Sequence, residues 1–298
     1  MLDPEALYTT NADQWDVVAG HAPVMLHLLQ GYVDAGGVSR NLAEHLLMQC
    51  PHEVVAEFDC DQLHDYRSRR PPMTFDVNTW VEVEMPRLVL HRMTDDAGRD
   101  FLLLEGPEPD SQWERACTAI LDLAGRLGVT QFVTATGTPF GVPHTRPVLV
   151  TAHATSPELV GENPMPFERV QVPGSFSTLL EYRAGQRGLL GRGFVTYVPH
   201  YLAQGAFTPA TVTALDRVMD AAGLVLPRDP LAGTVQATLD ALENEMAGDE
   251  DLPALIATLE AQYDDLARQG QRSVPSADEI GAAVERFLAE RDDEGEGS

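Results

Sequence analysis

FLLLEGPEPDSQWERA, residues 101–116, decides the fold. Phe101, Leu102, Leu103 and Leu104 form an unbroken apolar tetrad, the pattern of a strand buried on both faces of a parallel or mixed sheet. A loop rich in Gly, Pro and acids follows, holding Glu105, Gly106, Glu108 and Asp110, and a helix then begins. Ser111 with Glu114 three places on predicts a capping box, and Gly128 predicts the helix stop. The order strand, loop, helix places the loop at the carboxyl end of a central strand, where open α/β sheets keep their clefts.

Upstream, Val24 to Leu29 (VMLHLL) predicts another buried strand, then the turn GYVDAGG and a helix capped by Ser39. Glu53 to Phe58 predicts a strand, and Phe75 to Val83 with Arg87 to Met93 predict a hairpin leading into the central strand. Downstream, Thr130 to Thr136 predicts a strand, GTPFGVPHTRP a stiff loop, and Val148 to Thr151 a further extended run. Val172 to Arg183 predicts a helix after Pro173-Gly174, and Gly193 to Val198 a late strand. Thr208-Pro209 opens a helix that stops at Gly223. These units make one α/β body over residues 1–227, a mixed sheet flanked by helices.

Residues 228–298 differ in character. Leu231, Val235, Leu239, Leu242 and Met246 recur at helical spacing, as do Leu252, Leu255, Ile256, Leu259, Tyr263 and Leu266, and Ser276 with Glu279 caps a third helix. From Asp229 onward, 18 acidic residues stand against 4 Arg, a balance of -14 within a whole-chain charge of -26. The segment therefore reads as an acidic helical appendage with a frayed tail, EGEGS. It serves either as a cap on its own body or as an arm for a partner.

The strong negative charge argues against nucleic acid and anionic membranes as partners, since polyanions need clustered cations. All 20 basic residues are Arg. Lysine chemistry is thereby excluded: no P-loop lysine, no Schiff base and no lysine general base. Cys50, Cys60 and Cys117, odd in number and without C-x-x-C spacing, predict reduced thiols. An acidic start without an apolar h-region, and the lack of any long apolar run, set the expectation of a soluble cytoplasmic protein.

The candidate chemistry is Asp34, Glu105, Asp110, His144, Arg146 and His200, all expected in loops just after strands, with Gly36 of the Gly36-Gly37 pair beside Asp34. Neighbouring strands would bring these loops to one cleft. Carboxylates with His can then move protons, and Arg146 can grip an anion. The alternative is structural: Arg146 pairs with Asp110 or Glu105, His144 bonds a backbone carbonyl, and the glycines make a tight turn. No metal is expected, because His52-Glu53 lacks the second His of H-E-x-x-H. No cofactor motif is present, and without G-x-S-x-G a serine hydrolase does not fit.

Gly31 to Gly37 (GYVDAGG), Leu104 to Trp113 (LEGPEPDSQW), Gly137 to Pro147 (GTPFGVPHTRP) and Val198 to Ala203 (VPHYLA) resemble, in order, the motifs of the proteasome assembly chaperone 2 family in its actinobacterial form. The resemblance spans residues 15–225. It implies an α/β sandwich with a phosphorylase- or hydrolase-like sheet, self-association as a homotrimer, and a non-catalytic assembly or scaffolding role toward another protein, proteasome subunits among the partners. Relatives have also been labelled ATP-grasp ligases, a label this chain departs from with no Lys and no nucleotide loop. The alternative expectation is a small-molecule enzyme or sensor using the Asp34/His144/Arg146 cleft.

Overall fold

The computed structural model describes residues 2–18, 24–161, 169–246 and 252–272. The chain divides into two compact units, Met1–Gly248 and Asp249–Ser298. The sequence reading put the change of character at Pro227.

Within the first unit the elements are β1 (Tyr8–Thr10), α1 (Ala12–Val18), β2 (Val24–Gln30), α2 (Val38–Gln49), β3 (His52–Phe58) and the short α3 (Cys60–Leu63). Then come β4 (Met73–Asp76), β5 (Thr79–Val83), β6 (Leu88–Thr94), β7 (Asp100–Pro107) and α4 (Trp113–Leu127). The rest are β8 (Gln131–Phe140), β9 (Val150–Ala154), α5 (Phe176–Gln186), β10 (Leu190–Pro199), α6 (Thr208–Ala222), α7 (Asp229–Ala232) and α8 (Val235–Met246). In the second unit α9 spans Leu252–Arg272. The third helix expected from Ser276, and the EGEGS tail, lie outside the described residues.

Eight strands form one sheet in the order β1-β3-β6-β7-β2-β8-β10-β9. The centre, β7-β2-β8-β10, is parallel, and both flanks are antiparallel. This is the mixed α/β sheet expected, and the tetrad explains it. Leu102 and Leu104 enter the core under α4 and α5, while Phe101 and Leu103 enter the core under α2 and α6. In β2, Met25 and Leu29 face the first layer, and Leu26 and Leu28 the second. A strand buried on both faces needs such a run, and alternation would leave one face polar. Leu239 and Leu242 of α8 pack on the second layer, so α8 belongs to the body.

One polar cluster interrupts the first layer. His27 on β2 is fully buried against Phe132 at 6.2 Å, and burial drives its imidazole down to about 4. Nearby, His153 of β9 bonds Glu181 of α5 at 3.0 Å, with the His153 ring over Gly193.

Several expectations need correcting. The capping box does not form: Ser111 Oγ donates to the carbonyls of Gln62 and Leu63, and Glu114 binds Arg183. A tertiary partner outcompeted the local one. Ser39 does not cap α2 either, since its hydroxyl donates to Leu29 O while Asp34 accepts the first helical N–H groups. The run Phe75 to Val83 is not one strand. It folds back at Val77, whose φ is 51°, into the β4–β5 hairpin, a two-stranded sheet of its own. Residues 137–140, read as loop, continue β8 and pair with Thr196 to Pro199 of β10.

Candidate functional site

The strand order reverses at β2. Its crossover through α2 leaves on one face, while β7 crosses through α4 on the other, and the crevice of such a sheet opens at the carboxyl ends of these strands. A cleft of about 400 Å³ lies there, lined by Gln30, Tyr32, Asp34, Arg40, Pro139 and Gln204 among others.

Asp34 stands in that cleft as the organiser of the turn. Its carboxylate accepts from Ser39 N at 2.8 Å and Arg40 N at 3.1 Å. Burial raises its pKa, against the opposing backbone N–H groups of Ser39, Arg40 and Gly137. Gly36 is a structural junction, with φ at 68°, N donating to Ala203 O and O accepting from Phe207 N, both at 3.0 Å. A Cβ on Gly137 would fall 2.0 Å from Ala35 O, so this glycine is what lets the turn rest on β8. Residues 34–37, the start of the extended β8 tip and the loop after β10 therefore meet at one place.

His144 reaches the same loop after β10. Its Nδ1 lies 2.8 Å from the Tyr201 hydroxyl, to which its backbone N–H also donates at 3.1 Å. Arg146 is half-buried two residues further along. His200 is exposed, its ring edge-on to Tyr201 at 5.4 Å. Tyr201 is thus a polar partner of His144, one residue from the position the sequence singled out.

The other two residues sit elsewhere. Glu105, on β7, pairs with His91 Nε2 of β6 at 3.1 Å. Asp110 accepts Asp65 N at 2.8 Å and pairs with Arg69 at 3.2 Å, so the RSRR stretch of residues 67–70 supplies a structural cation. Neither lines the cleft. Between them Glu108 does what sequence reasoning missed. It is buried at the end of β7, accepting Tyr32 N at 3.0 Å and Phe176 N at 2.9 Å, and so ties the β2 loop to the start of α5. Its only sequence signal was a carboxylate held between two prolines, Pro107 and Pro109. Among the described residues no three His, Cys, Asp or Glu side chains are grouped to hold a metal ion. No described helix is long and apolar enough to cross a membrane. The three cysteines are buried and free, with burial pushing their thiols up to about 11 for Cys50 and Cys60 and about 12 for Cys117.

The fold and crevice define a mixed-sheet α/β protein whose loops close on one another at the switch point. The profile of the PAC2 family matches residues 28–246, and the chain belongs to that family. Mycobacterium tuberculosis Rv2714, a protein of unknown function, is 38% identical with a TM-score of 0.85, the match covering 92% of this chain and 94% of that one. A Corynebacterium glutamicum protein of unknown function is 32% identical with a TM-score of 0.82, over 89% of this chain and 99% of that one. The M. tuberculosis proteasome-assembly chaperone homologue Rv2125 shares the fold at 24% identity and a TM-score of 0.71, over 78% of this chain and 99% of that one. Comparison with curated proteins found no match.

Proposed function

We propose that this chain is a cytoplasmic, non-catalytic assembly chaperone or scaffold that self-associates as a homotrimer and binds another protein, proteasome subunits being the first candidates. The observation that carries this reading is how the candidate polar groups are used. Asp34, Glu108 and Asp110 each accept the chain's own backbone N–H groups, and Glu105 takes His91. Side chains so engaged hold loops together, and the fold shared with a proteasome-assembly chaperone homologue supports a protein as the ligand. The acidic composition of 228–298 suits a basic partner. The test is assembly of the proteasome from separately purified α- and β-subunits of the same organism, followed by native electrophoresis with and without the chain. Faster assembly and a stable complex with one subunit are expected. Unchanged kinetics with no complex overturn the proteasomal part.

A second reading, a small-molecule enzyme or sensor, draws on the 400 Å³ cleft with Asp34 at its wall. On this reading Arg146 would hold an anion and His144 would move a proton, while Asp110, bound to Asp65 N and Arg69 away from the cleft, takes no part. Turnover of a metabolite that Asp34→Ala or His144→Ala abolishes, in protein that still folds, would establish it over the chaperone reading.

A further inference from the structure

The strand β1 is one edge of the large sheet, with β3 on its inner side. Their register pairs Tyr8 with Phe58, Thr9 with Glu57 and Thr10 with Ala56. The same register continues outward, Asn11 N donating to Val55 O and Asp59 N to Leu7 O, both at 2.8 Å. In an antiparallel ladder bonded residues alternate with unbonded ones. Leu7, Thr9 and Asn11 therefore turn their backbone groups toward β3, and Tyr8 and Thr10 turn theirs outward. Among the described residues nothing bonds the N–H or C=O of Tyr8 or Thr10, and Thr9 and Thr10 are exposed. Such an edge is a template for one further strand.

A groove of about 730 Å³ opens beside this edge, lined by Tyr8, Thr9, Phe58, Asp59, Asp61 and Glu84 among others. Tyr8 and Phe58 stack at 5.5 Å and give it an apolar wall. Its charge is one-sided. The cation in its lining, Arg87, is held by Glu57 at 2.9 Å. Asp59, Asp61 and Glu84 have no ion pair among the described residues. Asp59 accepts Asp61 N and the Gln62 amide, and Asp61 accepts the Tyr66 hydroxyl, all neutral donors that leave the negative charge uncompensated. An acidic groove on a chain of net charge -26 repels a second copy and draws in a cationic chain.

We propose that the outer edge of β1 receives an extended basic segment of a partner protein as an added strand. The backbone groups of Tyr8 and Thr10 pair with that segment. Every second residue of a strand faces the same side, so basic side chains at alternate positions reach Asp59, Asp61 and Glu84. The ladder supplies affinity for any extended chain, and the carboxylates select its charge. This names how the partner protein of the proposed function is held, and rests on that reading.

The test titrates a capped peptide of alternating Arg and Val into the isotope-labelled full chain, followed by NMR. In the free protein the Tyr8 and Thr10 amides are expected to exchange quickly with solvent and those of Thr9 and Asn11 slowly. On addition of peptide, shifts and slowed exchange are expected at Tyr8 and Thr10, with binding that weakens as salt is raised. The same peptide methylated on all its backbone nitrogens keeps its charge but loses its donors, and is expected not to bind. Thr10→Pro removes one outward N–H while sparing the bonds to β3, and is expected to weaken binding about fivefold or more. Asp61→Arg with Glu84→Arg is expected to weaken it at least about tenfold. Equal binding of the methylated peptide overturns strand addition, and equal binding of a Glu–Val peptide overturns the charge selection. A Thr10 amide already protected in the free protein shows the edge covered by its own chain or by a second copy, and overturns the proposal.

Thr10→Pro then enters the proteasome-subunit assay. A subunit complex formed by wild type and weakened in the variant is expected. A complex equally strong in both overturns β1 as the contact and leaves the protein-binding reading standing. Peptide bound at β1 without any subunit complex supports the edge and overturns the proteasomal part alone.

Discussion

At the carboxyl ends of β2, β7 and β10 the polar side chains turn onto the chain's own backbone, whereas the β4–β5 hairpin turns its apolar side chains to solvent. The first region has carboxylates by composition, and each is satisfied: Asp34 by Ser39 and Arg40, Glu108 by Tyr32 and Phe176, Asp110 by Asp65 and Arg69. The second has hydrophobes that nothing among the described residues covers. Buried polar groups must be bonded and so become structural, while uncovered apolar area is free energy left for association. The difference teaches where to look for activity in this body. Function concentrates where the chain fails to satisfy itself.

The sharpest way to break this comparison is to unlock the closed region. Gly137→Ala sets a Cβ 2.0 Å from Ala35 O, a backbone atom that cannot rotate away. The turn 34–37 must shift, and a loss of about 3 kcal/mol or more is expected in urea unfolding. A loss under about 1 kcal/mol would mean that the loops at the switch point are not locked as described.

Next in size is a pH effect within the same body. His27 titrates at about 4 when folded, because burial penalises its charged form, against 6.5 in the unfolded chain. Between those values the unfolded state binds more protons, so stability rises with pH. The contribution is complete above 6.5 and is lost as pH falls toward 4, roughly 3 kcal/mol in all. Urea midpoints measured from pH 7 to 4 should fall accordingly, and His27→Gln should flatten that slope. An unchanged slope in the variant would place the acid sensitivity on other groups.

Glu108→Ala comes third. It leaves the N–H groups of Tyr32 and Phe176 without their acceptor and frees Arg69 from one of its carboxylates, for a cost of about 2–3 kcal/mol. Hydrogen exchange at those two amides should rise by a larger factor than at β7 residues such as Leu103. Equal rises would mean global rather than local loss.

The sequence carried the fold further than the site because the two rest on different physics. Buried strands announce themselves in four or six adjacent residues: the tetrad 101–104 and VMLHLL 24–29 both read correctly because burial on two faces demands apolar side chains at nearly every position, His27 being the exception. Gly128 and Gly223 likewise marked real helix ends in left-handed geometry. The convergence of Asp34, Gly36 and the loop after β10 followed from strand order alone. Pairings across long sequence separations did not. Asp110 found Arg69 and Glu108 found Phe176, partners 41 and 68 residues away, and no local pattern selects them. The hairpin was misread because its exposed Phe75, Trp80 and Val81 carry the same apolar signal as a core strand. Periodicity reports hydrophobicity, not what covers it.

The smallest expected effect is the most telling for the comparison. Phe75→Ser with Trp80→Ser removes two of the largest side chains on the hairpin, and a pair of that size in the core would cost several kcal/mol. Here both are more than half exposed, their contact is chiefly with each other at 4.9 Å, and the hairpin hydrogen-bonds only to itself as a sheet. An aromatic pair of this kind contributes about 0.5–1.5 kcal/mol, and only to the local order of the hairpin. The protein should therefore lose less than about 1 kcal/mol in urea unfolding. A core-sized loss would show that the hairpin is packed as part of its own body. The contrast between a self-satisfied sheet end and an open hairpin would then fail at its second term.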